Sequence, residues 1–140
     1  MEQPYNITTN KSKINLQFVH QYLSNESYWA KNISMALVKT SIENSVCFSI
    51  FCEDEQVGFA RVITDKATFG YIADLFITES HRGKGLSKWL MQTILDHKEF
   101  EGFRGWMLGT KDAHGLYEQF GFKLTNDTTR IMRKQGVEKY

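Results

Sequence analysis

Several residues and patterns that mark special architectures are scarce in this sequence. Of 140 residues only one is proline, Pro4, and two are cysteine, Cys47 and Cys52. No repeat, low-complexity stretch or linker interrupts the chain, so residues 1–140 read as one domain. A domain of that size buries roughly 68–70% of its unfolded surface. No apolar run approaches the ~20 residues needed to cross a bilayer. Residues 1–13 are polar and lack the apolar core of a secretory signal, so a cytoplasmic protein without a membrane partner is expected. Charge of one sign is also missing: 17 Lys and Arg against 16 Asp and Glu leave a net +1. A nucleic-acid footprint needs clustered basic excess, so no nucleic-acid partner is expected. The four histidines are scattered, no HExxH occurs, and the two cysteines sit in one apolar segment. They read as free thiols in a strand, and no metal is expected.

Aromatic residues are plentiful, with ten Phe, six Tyr and three Trp. Residues 5–9 alternate weakly and suggest an edge strand. From Asn15, a reasonable cap, Phe18, Val19, Tyr22 and Leu23 fall on one helical face. A second helix is predicted over 34–43, with Leu37, Val38 and Ile42 inward. Residues 46–52 are β-branched and aromatic, 53–55 are a polar turn, and 56–64 return as the partner of an antiparallel hairpin. A third strong strand covers 70–77. The period then changes: Leu86, Trp89, Leu90, Ile94 and Leu95 mark one face of a helix running to about residue 97. A strand over 104–109, a short helix over 113–120 stopped by Gly121, and a final hairpin over 122–124 and 130–133 complete the chain. Strand, helix and strand from 70 to 109 require a crossover, so those two strands should be parallel neighbours. The expected class is α/β (α+β), a mixed sheet with helices on its faces.

The most informative segment runs from Ile77 to Ser87, between a buried strand and an amphipathic helix. Gly83 and Gly85 let the backbone turn tightly and approach a ligand. The free N–H groups of a helix start, with its dipole, form an anion site, and Arg82 and Lys84 add positive charge. That chemistry suits a pyrophosphate. The Rossmann pattern lacks its third glycine here, and no GxxxxGK[ST] occurs.

Arg82-Gly83-Lys84-Gly85-Leu86-Ser87 resembles the Q/R-x-x-G-x-G/A signature of GNAT acetyltransferases, with Ser87 in place of the last small residue. Leu75-Phe76-Ile77 resembles the end of that family's fourth strand, and Gln56-Val57-Gly58-Phe59-Ala60-Arg61 its third. Gly115-Leu116-Tyr117-Glu118-Gln119-Phe120-Gly121-Phe122 resembles the family's second signature, an aromatic-rich helix ending in Y-x-x-x-G-F. The resemblance implies a GNAT fold: a mixed, mostly antiparallel sheet of six to seven strands, about four flanking helices, and parallel fourth and fifth strands that splay apart.

It further implies acetyl-CoA as co-substrate, bound in a cleft between 75–77 and 107–109. Leu75, Phe76 and Ile77 would pair with its pantetheine arm. Residues 82–87, namely Arg82, Gly83, Lys84, Gly85, Leu86 and Ser87, would hold the diphosphate, with Lys88 as a further neighbour. A backbone N–H near Leu75 or Phe76 would stabilise the oxyanion, and Tyr117 would protonate the departing thiolate. The acceptor is expected to be a small-molecule or peptide amine, and the assembly a monomer or homodimer. A non-catalytic CoA-binding module on the same fold is the alternative.

An acceptor ammonium must lose a proton before attack, and Asp74 is the sharpest candidate base. On a regular strand Ile72, Asp74 and Phe76 share one face, and Ala73, Leu75 and Ile77 the other. A carboxylate in an apolar strand is costly without a partner, so a structural pairing with Arg61 or backbone N–H groups is the competing reading. Glu79 and His114 are weaker candidates, and His81 is read as positioning the loop. Tyr28 and Trp29, between the first two helices, fall where the family covers the acceptor site, and their ring faces suit a cation.

Overall fold

The computed structural model describes residues 4–127 and 129–140. One sheet carries five strands in sequence order: β1 (Tyr5–Thr8), β2 (Val46–Cys52), β3 (Glu55–Thr64), β4 (Phe69–Ile77) and β5 (Gly105–Leu108). The first four pair antiparallel, and β4 and β5 pair parallel. Four helices flank them: α1 (Leu16–Gln21), α2 (Met35–Glu43), α3 (Leu86–Leu95) and α4 (His114–Glu118). The crossover between β4 and β5 is α3, as the parallel pairing demands.

The helix starts follow from local chemistry. Asn15 accepts from the Phe18 amide at 3.1 Å, and Ser34 accepts from the Leu37 amide at 3.2 Å. Each satisfies one donor that a helix start leaves unpaired. Beyond Gln21 the first helix widens into a π turn, Tyr22–Glu26, which buries Tyr22 and Leu23.

The core lies on both sheet faces. Phe48, Ile50, Val62, Ile72 and Ile77 meet Leu86, Leu90, Met91 and Ile94 of α3. On the other face Cys47, Phe59 and Phe76 meet Val19 and Leu23 from the first helical segment and Val38 and Ile42 of α2. Full burial of such a side chain stabilises by roughly 1.5–3 kcal/mol, so these two layers hold the frame of the cleft. Leu37, expected inward, is instead 48% exposed.

Two further expectations change. The final hairpin over 122–124 and 130–133 does not form: among the described residues, 122–127 and 129–140 contain no strand, and β5 ends the sheet. Leu124 and Met132 are 80% and 97% exposed, so no buried apolar face repays the entropy of ordering a strand there. The sheet therefore has five strands rather than six or seven.

The second change is in β4. Its register against β3 passes from Ala73↔Arg61 to Phe76↔Phe59, three residues on one strand against two on the other. This is a β-bulge. The extra residue shifts the alternation, so Ile72 and Ile77 share one core while Phe76 enters the other. The regular-strand expectation that Ile72 and Phe76 share a face fails for that reason. Asp74 sits in the bulge with φ 54°, in the left-handed region.

Candidate functional site

The cleft forms where β4 and β5 part. Their pairing runs from Phe69↔Gly105 to Ile72↔Leu108 and stops. Met107 and Leu108 are thus still paired, and the opening begins beyond them, later than the sequence suggested. On the β4 side, Asp74 and Leu75 form the bulge opposite Ala60, and neither has a one-to-one partner on β3. Leu75 is half-buried, whereas the Phe76 and Ile77 side chains fill the two cores. Any ligand running along this edge would therefore meet backbone.

At one end of the cleft the chain leaves β4 through a 3₁₀ turn, Glu79–His81, and enters α3. Gly83 and Gly85 adopt φ of 78° and 79°, conformations that fold the chain over on itself at no Cβ cost. The first bond of the new helix is Trp89 N–H to Gly85 C=O at 3.1 Å. The amides of Leu86, Ser87 and Lys88 precede it, and no side chain caps this terminus. They border a hollow of about 150 Å³ formed with His81, Arg82 and Gly83. A helix start that the protein itself leaves open is an anion site.

Arg82 also makes contacts within the protein. Its Nε donates to the Ile77 carbonyl at 2.9 Å and its guanidinium to the Tyr22 hydroxyl at 2.8 Å. Tyr22 in turn stacks on Phe76, with ring centroids 3.8 Å apart and planes 5° from parallel. Arg82 is thus a tie between loop, strand and first helical segment, and it also lines the hollow, exposed like Lys84 and Lys88. His81 is anchored as well, Nδ1 lying 2.9 Å from the Tyr5 hydroxyl.

Tyr117 marks the other end. It projects from α4 into the core on the α3 side and is 9% exposed. Burial pushes its hydroxyl up to about 12, with the neighbouring Tyr28 and Asp112 adding to the rise. At neutral pH it carries a proton that it can give.

Between these ends the connection from α1 to α2 straps over the cleft. Tyr28 Oη accepts the Lys111 N–H at 2.9 Å, from the segment after β5. Trp29 Nε1 donates to Asp74 Oδ1 at 2.8 Å. The outer side of Tyr28, Trp29 and Lys31 faces Glu138, Lys139 and Tyr140 across a cavity of about 340 Å³. Asp74 Oδ2 accepts Arg61 Nε at 2.8 Å, and that guanidinium also donates to Ser45 Oγ at 3.2 Å.

The structure joins Trp29 to Asp74 and Tyr28 to the segment after β5, with Tyr117 near Tyr28, and gathers Gly83, Gly85, Leu86, Ser87 and Lys88 around the hollow at the start of α3. Glu79 is exposed beside the phosphate end, and His114 opens α4. Sequence reading missed the role of Tyr22, because a helix-face tyrosine gives no sign of the distant arginine it meets. Among the described residues no cluster of three or more His, Cys, Asp or Glu could hold a metal. No helix there is long and apolar enough to cross a membrane.

The family model described as the Acetyltransferase (GNAT) family matches residues 16–122. A Gibberella zeae protein carrying an acetyltransferase name is 27% identical over 145 residues, spanning 85% of this chain and 79% of its own. A crystal structure of a GNAT-family protein from Xanthomonas campestris pv. campestris has a TM-score of 0.93 at 39% identity, covering 97% of this chain and 96% of that one. The fold is also that of glucosamine-6-phosphate N-acetyltransferase from Arabidopsis thaliana, with a TM-score of 0.63 at 17% identity over 99% of both chains. The glycine-marked helix start, the parting of β4 from β5 and the extent of these matches agree: the chain belongs to the GNAT acetyltransferase family.

Proposed function

We propose that the protein is an N-acetyltransferase that moves the acetyl group of acetyl-CoA to a primary amine of a small molecule or peptide, by direct attack with both substrates bound. The observation that carries this reading is the start of α3, whose amides stand open beside two positive-φ glycines and a hollow. These residues fit a diphosphate: the donors converge, no Cβ at 83 or 85 blocks approach, and Lys84 and Lys88 add charge. The bulged stretch of β4 at Asp74 and Leu75, beyond the end of its pairing with β5, fits an amide-bearing arm laid along the strand.

When bound, acetyl-CoA supplies a thioester open to attack by an amine. The Leu75 or Phe76 amide would face the carbonyl oxygen and stabilise its growing charge. Tyr117 would give its proton to the sulfur as the bond breaks. Its raised pKa keeps that proton in place through the neutral range. The acceptor would enter past Tyr28 and Trp29, which are exposed and carry ring faces suited to a cation. On this reading the protein works in the cytoplasm as a monomer or homodimer, without nucleic acid.

A CoA-binding module without catalysis is the rival reading, and the Tyr117 hydroxyl, protonated at neutral pH, favours the enzyme. Calorimetry with acetyl-CoA and CoA, followed by CoA release from acetyl-CoA across a panel of primary amines, tests both. Binding with amine-dependent release is expected. No heat with either nucleotide would end the assignment, and binding without release from any amine would favour the module.

A further inference from the structure

We propose that Asp74 is a positioning residue, clamped by Arg61 and Trp29 so that β4 keeps a left-handed turn that frees the Leu75 amide for the reaction. The inference rests on the acetyltransferase reading above and assigns Asp74 a part other than the base.

The backbone comes first. Asp74 has φ 54° inside a strand, a conformation that residues with a Cβ avoid because Cβ crowds the following carbonyl. Such a residue persists only where its surroundings fix it. The consequence is local and large. With one extra residue between Ala73 and Phe76, Leu75 loses its ladder partner on β3, and β5 has already departed at Ile72. A regular strand would return that amide to the ladder.

The side chain supplies the fixing. Both carboxylate oxygens are occupied, Oδ1 by Trp29 Nε1 and Oδ2 by Arg61 Nε, each at 2.8 Å. The carboxylate is 9% exposed and the Arg61 side chain 15%. Arg61 is held in turn by Ser45 Oγ. Each oxygen thus holds a donor from a different part of the fold, the strap and β3, which suits a strut. Trp29 belongs to the strap that Tyr28 fastens to Lys111 on the far side of the cleft. The turn in β4 and the cover over the acceptor side are therefore joined through this one carboxylate.

The test separates backbone from carboxylate. Glycine accepts φ 54° and alanine does not, while neither has a carboxylate. If the turn matters, amine-dependent CoA release by Asp74→Gly should exceed that of Asp74→Ala by about tenfold. Asp74→Gly should also keep the wild-type shape of the pH–rate profile, and its melting midpoint should lie above that of Asp74→Ala. A base would give equal losses in both variants, on the order of 10²-fold or more, with the acidic limb of the profile gone. Should Asp74→Ala fail to fold, Trp29→Phe carries the test. It keeps the ring and removes one clamping N–H, so kcat should fall while the Kd for CoA stays within about twofold. An unchanged kcat there would overturn the clamp. Calorimetry of the wild-type protein with CoA keeps the two readings apart. Absence of heat overturns the acetyltransferase reading and this role together, whereas heat with equal rates in the two Asp74 variants overturns this role alone.

Discussion

At the α3 end the candidate site is built from residues 82–88, consecutive in the chain, with Arg82 tied to the Ile77 carbonyl and Lys84 and Lys88 exposed. The other candidate groups are side chains from separate segments: Tyr28 and Trp29 from the strap, Asp74 from β4 and Tyr117 from α4. The difference teaches which substitutions each end should tolerate. A backbone site survives loss of side chains but not loss of its φ angles. A side-chain site behaves in the opposite way. The ends should also divide the kinetics, with donor affinity set at α3 and turnover set at α4.

The largest effect that would break this division lies at Tyr117. Tyr117→Phe should lower kcat by about 10²-fold or more and leave the CoA Kd within about twofold. An unaltered kcat would remove the hydroxyl from the chemistry. Next is Gly85→Val, which forces a β-branched residue to φ 79° and should weaken CoA binding by about tenfold or more. Undiminished binding would show that the loop geometry does not matter to the ligand.

A smaller effect sharpens the contrast between two neighbouring cations. Arg82→Ala removes hydrogen bonds to Ile77 and Tyr22 that stabilise by roughly 0.5–1.5 kcal/mol each, so the thermal midpoint should drop by several degrees. Lys84→Ala, at an exposed side chain, should leave the midpoint nearly unchanged and cost CoA affinity instead. The reverse pattern would put the Arg82 charge back at the phosphate. The smallest effect concerns pH. Because burial raises Tyr117 from 10.0 to about 12, its protonated form is favoured by folding. Its contribution to stability is full below about pH 10 and is lost as pH rises through about 12. No alkaline limb of the rate profile below pH 10 should disappear in Tyr117→Phe.

The contrast also explains what could be read from sequence. The loop end is local: Gly83 and Gly85 announce their φ angles, the apolar period of α3 shows where the helix begins, and Asn15 and Ser34 mark two other starts by the same short-range logic. The strands of the central hairpin are legible because their alternation is regular. Where alternation breaks, legibility stops. The bulge at Asp74 has no glycine to signal it, so Ile72 and Phe76 were placed on one face when they lie on two. The Arg82–Tyr22 bond spans 60 residues and the Trp29–Asp74 bond 45, and nothing in either residue's own neighbourhood points to its partner. The hairpin expected at the end of the chain rested on short apolar pairs, and Leu124 and Met132 find no surface to cover.

The central claim, that the open amides at the start of α3 receive the diphosphate of CoA, is tested most directly by titrating ¹⁵N-labelled protein with CoA and following its amide resonances. The account predicts the largest shifts at Gly83, Lys84, Gly85, Leu86, Ser87 and Lys88. Saturation with those resonances unmoved, and the principal shifts elsewhere, would contradict it.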